Sequence, residues 1–387
     1  MSKKIQTDPV LRFFVIIIGI IAIGFTLKEL SHIFLPFIIA YFLFFTFSPI
    51  NDLLTGKKIP LFIVIIFDIA IIIFLTWGIF SFLIDSFVQF GEELPEYYTR
   101  LNRIVRDAAR TLGIKDSYFQ YFSIKRILSQ IDYKVLAGGI FSTTFPLIGS
   151  ILFILFFFIF IVTGHRGIYD SIKRRYAIKE ITPEIKAIRK KAEEDNEQPV
   201  VPEIIKEEIH DKEIVLSNTV KAITEQIQRY IIAKILVNLV AGLAVTGILY
   251  LLDVDFPIIW GLFAFLFNFI PTIGSAIALI LPVIMALIQY ESLSFALITA
   301  GVLGGVQTIF FNVIEPMVIG KRLNLNPLLI LFSVLIWGYL WGIIGMLLSV
   351  PLTAVIKIIL ANSKSMELVF INDLMSKEPE KGDFLPL

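Results

Sequence analysis

The chain has 387 residues, 57% of them hydrophobic, and its 34 lysines and arginines against 33 aspartates and glutamates leave a formal charge of +1. A mean hydropathy of +0.83 exceeds what a globular core can hide, so the excess must face lipid, and near-neutrality gives no electrostatic case for nucleic acid as a partner. The lack of cysteine excludes disulfides, thiolate nucleophiles and cysteine-ligated metals, and His32, His165 and His210 lie far apart in sequence, which argues against a metal centre.

Charge is segregated. Of 67 charged side chains, 15 lie in 85–147, 26 in 166–229, eight in 362–387 and four in 1–12, so the remaining sequence forms nearly uncharged blocks. A hydrocarbon layer about 30 Å thick needs roughly 20 helical residues whose backbone groups pair internally, so each block reads as membrane helix. In chain order the blocks are Val10–Leu27, Ile33–Ile50, Pro60–Ile84, Phe145–Thr163, Ile231–Leu252, Phe256–Tyr290, Leu293–Ile314 and Leu328–Leu360. The first follows Lys3, Lys4 and Arg12 as a signal peptide would, but it continues into Lys28, Glu29 and another apolar block without a small-residue cleavage site; a retained helix is expected. In 85–147, Leu94, Tyr97, Tyr98, Leu101, Ile104 and Val105 recur at helical spacing among arginines, which predicts an amphipathic helix capping the bundle. Segment 166–229, with 13 basic and 13 acidic residues, predicts charged helices flanking a solvated loop from Glu193 to Pro202.

Two blocks are too long for one crossing. A straight helix over Phe256–Tyr290 would extend roughly 50 Å, and Leu328–Leu360 is similarly oversized. Each contains helix-breaking chemistry: Asn268, Pro271, Gly274 and Pro282 in the first, and Gly338, Gly342, Gly345 and Pro351 in the second. Basic residues favour the cytoplasmic ends of spans. Lys3/Lys4/Arg12, Lys57/Lys58, Arg166/Lys173/Arg174/Arg175, Lys321/Arg322 and Lys357/Lys364 share that side only if both long blocks fold back, with the acidic Asp253 and Asp255 opposite. The expected fold is all-α: a polytopic transmembrane helical bundle with two oppositely oriented broken, re-entrant hairpins in its C-terminal half. Secondary transporters build midplane sites this way, because non-helical backbone at membrane depth is tolerated only beside protein or a water-filled cavity.

The stretches GLFAFLFNFIPTIGSAIALILPVIMALI and NVIEPMVIGKRLNLNPLLILFSVLIWGYLWGIIGMLLSVPLTAVI carry the patterns IPxIG, EPxxxGKxLxLxP and GxxGxxLxVP, and with LSHIFLPFIIAYFLFFTFSPI they resemble the autoinducer-2 exporter (AI-2E) family of bacterial membrane transporters. The resemblance implies an inner-membrane protein that exports a small organic solute or signal molecule, or exchanges sodium or lithium for protons, and that forms homo-oligomers, pentamers among them. Segment 166–229 departs from the family pattern in being longer and more charged. The expected organisation is an N-terminal scaffold of three spans over 1–84, an extracytoplasmic helical segment over 85–147, a fourth span over 145–163 and a charged cytoplasmic segment over 166–229. A transport region over 231–361 follows, with hairpins over about 256–290 and 328–360, and then a cytoplasmic tail over 362–387; both termini are expected in the cytoplasm.

Polar groups inside apolar blocks supply the candidate site. Asn268, Thr272 and Ser275, with Pro271 and Gly274, would combine side-chain groups with freed main-chain groups at the first hairpin tip. Gln307, Asn312 and Glu315 form a polar stripe ending at Pro316. Asp68, about 12 Å along its helix, would be unfavourable in lipid by roughly 2.5–3.5 kcal/mol. It reads as a proton site or as a neutral acid bonded to a threonine or asparagine, and Glu315 as a second proton site or a helix-end carboxylate. The expected hinges are Pro271, Gly274, Pro282, Pro316, Gly342, Gly345 and Pro351. Lys234 is expected to snorkel, Asn238 to bind helices together and Asn326-Pro327 to start the second hairpin.

No GxxxxGK[ST] loop, HExxH or GxSxG occurs, so neither ATP-driven pumping nor a familiar hydrolase is expected, and no enzyme activity or cofactor. The expected partners are a small organic solute or an alkali cation with protons, the lipid bilayer and further copies of the chain. Gradient-driven solute export by alternating access leads; a sodium (lithium)/proton antiporter and a non-transporting membrane scaffold that recruits partners through 166–229 are the alternatives.

Overall fold

The computed structural model describes residues 9–116, 119, 122–124, 148–164, 203–271, 273–319, 325–361 and 374–376. They form α1 (Pro9–Glu29), α2 (Ser31–Gly56), α3 (Leu61–Thr111), α4 (Ile148–Gly164), α5 (Glu203–Leu251), α6 (Pro257–Phe267), α7 (Ile273–Tyr290), α8 (Leu293–Ile309), a π-helical turn (Phe310–Ile314), α9 (Glu315–Ile319) and α10 (Pro327–Ala361). Among the described residues, six helical stretches are long and apolar enough to cross a membrane. The large apolar residues of α1 and the outer face of α3, with Phe74 75% and Trp77 73% exposed, form a surface suited to hydrocarbon rather than water. Among the described residues, pairing of the β type is limited to an isolated bridge between Leu325 and Ser376.

Two helices run much further than their apolar blocks. The span expected to stop at Ile84 continues to Thr111, and the one expected to begin at Ile231 begins at Glu203; at 51 and 49 residues each exceeds twice the hydrocarbon thickness. Charge does not end a helix. Glu, Arg and Leu are good helix formers, and the Glu96–Arg100 pair at 2.5 Å reinforces the extension of α3. Tyr97, Leu101, Ile104 and Val105 lie on its buried or half-buried side. Tyr97 joins a core with Leu249, Ala264 and Ala286 from α5, α6 and α7.

The two long C-terminal blocks both reverse. In the first, α6 ends at Phe267 and α7 starts at Ile273, and a Cβ on Gly274 would lie 1.7 Å from the Phe267 carbonyl oxygen; the chain returns so closely that only glycine fits. The two ends of this hairpin meet. Tyr290 donates its hydroxyl to the Asp253 carbonyl at 2.9 Å, and Gln289 bonds Asp253 and Asp255 at 2.8 Å each. Arg100 of α3 also donates to the Gln289 carbonyl, and Tyr97 donates to Glu93 and reaches Asp255 at 3.0 Å. Burial raises the Asp255 carboxyl above the usual carboxylate range, and the Tyr97 hydrogen bond opposes it.

In the second block, α10 is interrupted at Trp341 (φ −132°, ψ 17°) and Gly342 (φ 62°, ψ −144°). A Cβ on Gly345 would lie 2.0 Å from the Trp337 carbonyl, and Trp337 bonds the Thr353 hydroxyl at 3.3 Å; residues this far apart in sequence meet only if the helix doubles back. The tip packs on the end of α1, where Trp341 donates to the Leu27 carbonyl at 2.9 Å and Lys28 lies 3.8 Å from the Tyr339 ring centre. Two expected hinges behave otherwise. Pro282 and Pro351 are buried inside continuous helix, so each removes one helical bond without opening a turn.

Helices α5 and α6 approach each other closely. A Cβ on Gly261 would stand 1.7 Å from the Thr246 hydroxyl and 2.7 Å from the Gly242 carbonyl, and small residues permit this approach where burial of apolar surface supplies no drive. Gly261→Ala should therefore destabilise the protein by about 1–3 kcal/mol. Thermal unfolding in detergent should show the loss, and adding Thr246→Ala should not restore it, because the carbonyl contact remains.

Candidate functional site

Tyr230, Lys234 and Asn238 follow one another at four-residue steps and so share a face of α5. All three are buried. The Lys234 ammonium pairs with the Glu315 carboxylate at 2.7 Å and lies 5.4 Å from the Phe311 ring centre. The pair is asymmetric in its surroundings, with side-chain exposures of 7% for Lys234 and 23% for Glu315. Pro316 helps explain how Glu315 gets there: proline lacks an N–H, and its ring would strike the Asn312 carbonyl in a regular helix. The π-turn relieves this, its last N–H, that of Glu315, bonding back to Phe310.

The expected polar stripe does not lie on one face. Gln307 is buried and its side-chain oxygen has no hydrogen-bond partner, Glu315 faces Lys234, and Asn312 is exposed. Five residues of helix advance the direction by about 140°, so Asn312 cannot share the face of Gln307. The residue between them on that face is Phe311.

At the first hairpin tip the main chain satisfies itself through turn bonds, Phe269 to Leu266 at 3.2 Å, Ile270 to Phe267 at 2.7 Å and Gly274 to Ile270 at 3.0 Å. The Asn268 side chain takes no part. It is 3% exposed, and neither its nitrogen nor its oxygen has a partner. Asn238 is fully buried in the same unpartnered condition. Because Gly242 packs against Gly261 and Phe265 in the antiparallel α5–α6 contact, one turn back along α5 and one turn onward past α6 bring Asn238 and Asn268 to one level. Pro271 and Ser275 are half-buried beside them in sequence, and Gly274 is buried. Thr272, Lys321 and Arg322 lie outside the described residues.

A cavity of about 180 Å³ opens where these parts converge. Its walls include Thr46 of α2, Tyr230 and Lys234 of α5, Phe269 of the first hairpin tip, and Leu348 and Pro351 of the second hairpin. A separate cavity of about 680 Å³ lies between α2, α4 and the earlier part of α5, lined by Ser48, Asn51, Asp52, Thr163, Lys221 and Glu225 among others. Asn51 connects it to Asp68, donating to the fully buried carboxylate at 2.8 Å. Asp68 thus has the asparagine partner that its sequence position allowed, yet one oxygen of each side chain remains without a donor.

Tyr230 was missed from sequence, Lys234 was expected to snorkel but is buried against Glu315, and Asn238 was read only as a helix contact. Their four-residue spacing inside an apolar block was the available signal. Glu315, 81 positions beyond Lys234, gave no local hint of pairing.

Residues 11–365 match the family model of the AI-2E family transporters. A candidate transport protein of Borreliella burgdorferi is 28% identical over 94% of this chain and 92% of its own length. One of Haemophilus influenzae is 26% identical over 90% and 91% respectively. The AI-2 transport protein TqsA of Escherichia coli strain K12 is 39% identical over a shorter stretch, 35% of this chain and 39% of that protein.

Removing one member of a buried ion pair leaves the other without compensation. Glu315→Gln should destabilise by about 2 kcal/mol, less than a fully enclosed pair because Glu315 is partly open. The double substitution Lys234→Met with Glu315→Gln should recover most of that loss, read as the coupling in a thermal double-mutant cycle.

Proposed function

The chain belongs to the AI-2E transporter family and is a polytopic membrane transporter; from that premise we propose that it exports a small organic solute, driven by a gradient, by alternating access. An autoinducer-2-like signal is the leading cargo because the E. coli relative bears that name. The observation that carries the reading is the shared cavity: α2, α5 and both hairpins each contribute a wall, so sliding of the hairpin-bearing region 231–361 against the scaffold 1–84 would open and close it. Lys234–Glu315 fastens α5 to the segment leading into the second hairpin, and Asn238, Asn268 and Gln307, buried outside the lining of that cavity, carry unpartnered polar atoms that the moving hairpins would have to uncover for cargo. Pro271, Thr272, Gly274 and Ser275 shape the tip that moves. In this reading the protein sits in the bacterial inner membrane with both termini cytoplasmic, the two hairpins dip in from opposite faces, and several copies assemble.

The test uses the natural absence of cysteine. Purified protein in liposomes is screened against small organic signals and alkali cations, with and without a proton gradient. Cysteines are then placed at Thr46 and Leu348 and joined with a thiol crosslinker; flux of the cargo found should fall to background and return on reductive release. Undiminished flux in the crosslinked protein would contradict the mechanism.

Asn51 and Asp68 favour a second reading, sodium or lithium exchange for protons, since their unpartnered acceptor oxygens suit a proton or small cation. Vesicles containing a pH dye should then report sodium-dependent proton movement that Asp68→Asn abolishes. If sodium moves no protons, this second reading is removed.

A further inference from the structure

Where the extension of α3 meets the two ends of the first hairpin, one hydroxyl serves two carboxylates. The Tyr97 oxygen lies within hydrogen-bond reach of Glu93 and, at 3.0 Å, of Asp255, so the two carboxylates stand no more than about 6 Å apart. A tyrosine hydroxyl carries one hydrogen. It can go to one carboxylate, and the second contact then needs a proton of its own. Glu93 already takes a donor on its other oxygen, the Gln89 amide at 3.0 Å, and two donors suit an ionised carboxylate. The further proton therefore belongs on Asp255, which donates it to the Tyr97 oxygen. The surroundings favour that placement: burial raises the Asp255 carboxyl and the charges of Glu93 and Asp253 add to this, while the Arg100 charge and, when Tyr97 is the donor, its hydrogen bond oppose them. The remaining ionisable groups here are engaged elsewhere, Glu96 with Arg100, Glu291 with Arg103 at 2.6 Å and Tyr290 with the Asp253 carbonyl.

The backbone at this place is strained. Asp253 (φ 54°), Phe256 (φ 58°) and Glu291 (φ 49°) take the left-handed conformation, which is uncommon outside glycine and unfavourable for a bulky residue, and such strain persists only where neighbours hold it. Helix α3 supplies the neighbours: the Phe256 ring packs on Phe90 and Tyr97, with ring centres 5.6 and 6.5 Å away. We propose that Glu93, Tyr97 and Asp255 form a proton-operated clasp: a proton on Asp255 lets Tyr97 bridge both carboxylates and pin the strained turn before α6 to α3, and its loss sets two anions on one hydroxyl and releases the turn. Arg100 and Arg103 stay charged throughout, so Gln289 and Glu291 at the end of α7 remain held while the start of α6 comes free. The clasp is closed below the pH at which Asp255 ionises and is lost as the pH rises through it. In the placement proposed above it faces the outside of the cell, so external acidity governs it whatever the cargo.

Val254, 2% exposed between the two aspartates, can report the release. Val254→Cys gives the chain its sole thiol, and its rate of modification by a small methanethiosulfonate reagent in nanodiscs is measured against pH. The comparison is the same chain with Asp255→Asn, whose amide can donate to Tyr97 at every pH. The two rates should agree in acid. Above the ionisation of Asp255 the carboxylate chain should be modified about tenfold faster, the loss of one hydrogen bond to a charged group. A neighbouring negative charge by itself would slow the thiol, so the sign separates release from a charge effect. Tyr97→Phe, which keeps the ring, should make the thiol reactive at every pH and leave Asp255→Asn unable to slow it. Should the thiol fail to react under any condition, infrared spectra of the cysteine-free protein read the proton itself: a carboxylic-acid carbonyl band that vanishes in Asp255→Asn should titrate with a midpoint above the ordinary 3.8 and shift in Tyr97→Phe. Equal rates for the Asp255 and Asp255→Asn chains across the pH range, slowing by Asp255→Asn that survives Tyr97→Phe, or a band with its midpoint at or below 3.8 would each overturn the clasp.

Discussion

A polypeptide that leaves the helix within an apolar layer must find partners for the main-chain groups it frees, and it must find them in protein, because lipid offers none. In the proposed membrane placement, that constraint organises the C-terminal half of this molecule. At the first reversal the answer is local: turn bonds among Leu266, Phe267, Phe269, Ile270 and Gly274 close the tip, and the missing Cβ of Gly274 lets the returning strand of chain touch the outgoing one. At the second, Gly342 takes a positive φ and Gly345 lies against the Trp337 carbonyl. Each reversal has a neighbouring helix, although Tyr339 and Ile343 beside the second remain exposed. Helix α5 covers the first, and α1 meets the tip of the second through Leu27 and Lys28.

Because the backbone is self-sufficient at the first tip, the polar side chains nearby are left over. Asn268 and Asn238 are buried without partners, a condition worth about 1–3 kcal/mol of instability for each lost hydrogen bond. Lys234 and Glu315 are different, since they compensate each other across the interface between α5 and the π-turn. The cavity beside Lys234 has apolar walls, whereas Asn51 and Asp68 each keep an acceptor oxygen without a donor.

Much of this architecture was legible in the sequence because it depends on local chemistry. The apolar blocks, the break between Asn268 and Gly274 and the one near Gly342 all follow from residues that prevent or permit particular backbone shapes, and the appearance of Asp68 in an apolar helix called for the asparagine it has in Asn51. What was not legible depends on neighbours distant in sequence or on the absence of a stop signal. Residues 85–111 change in polarity, and helix α3 nevertheless runs through Gly91 and Pro95 to Thr111, where that change suggested a new segment. The π-turn accommodates the conflict between Pro316 and the Asn312 carbonyl, and Asn312, five residues past Gln307, is exposed and out of line with Gln307 and Glu315 by helical spacing alone. Lys234 looked like a helix-end lysine until its partner came into place from α9.

The account stands or falls on whether each C-terminal reversal brings the chain back to the face of the membrane it came from. In intact cells, single cysteines at Asp253, Glu291 and Asn326 can be challenged with a membrane-impermeant thiol reagent. The account predicts that the cysteines at Asp253 and Glu291 react from outside while the one at Asn326 is protected until the membrane is opened. Opposite behaviour of the first two positions would show that Phe256–Tyr290 crosses once, and the shared cavity would then have no hairpin to form its wall.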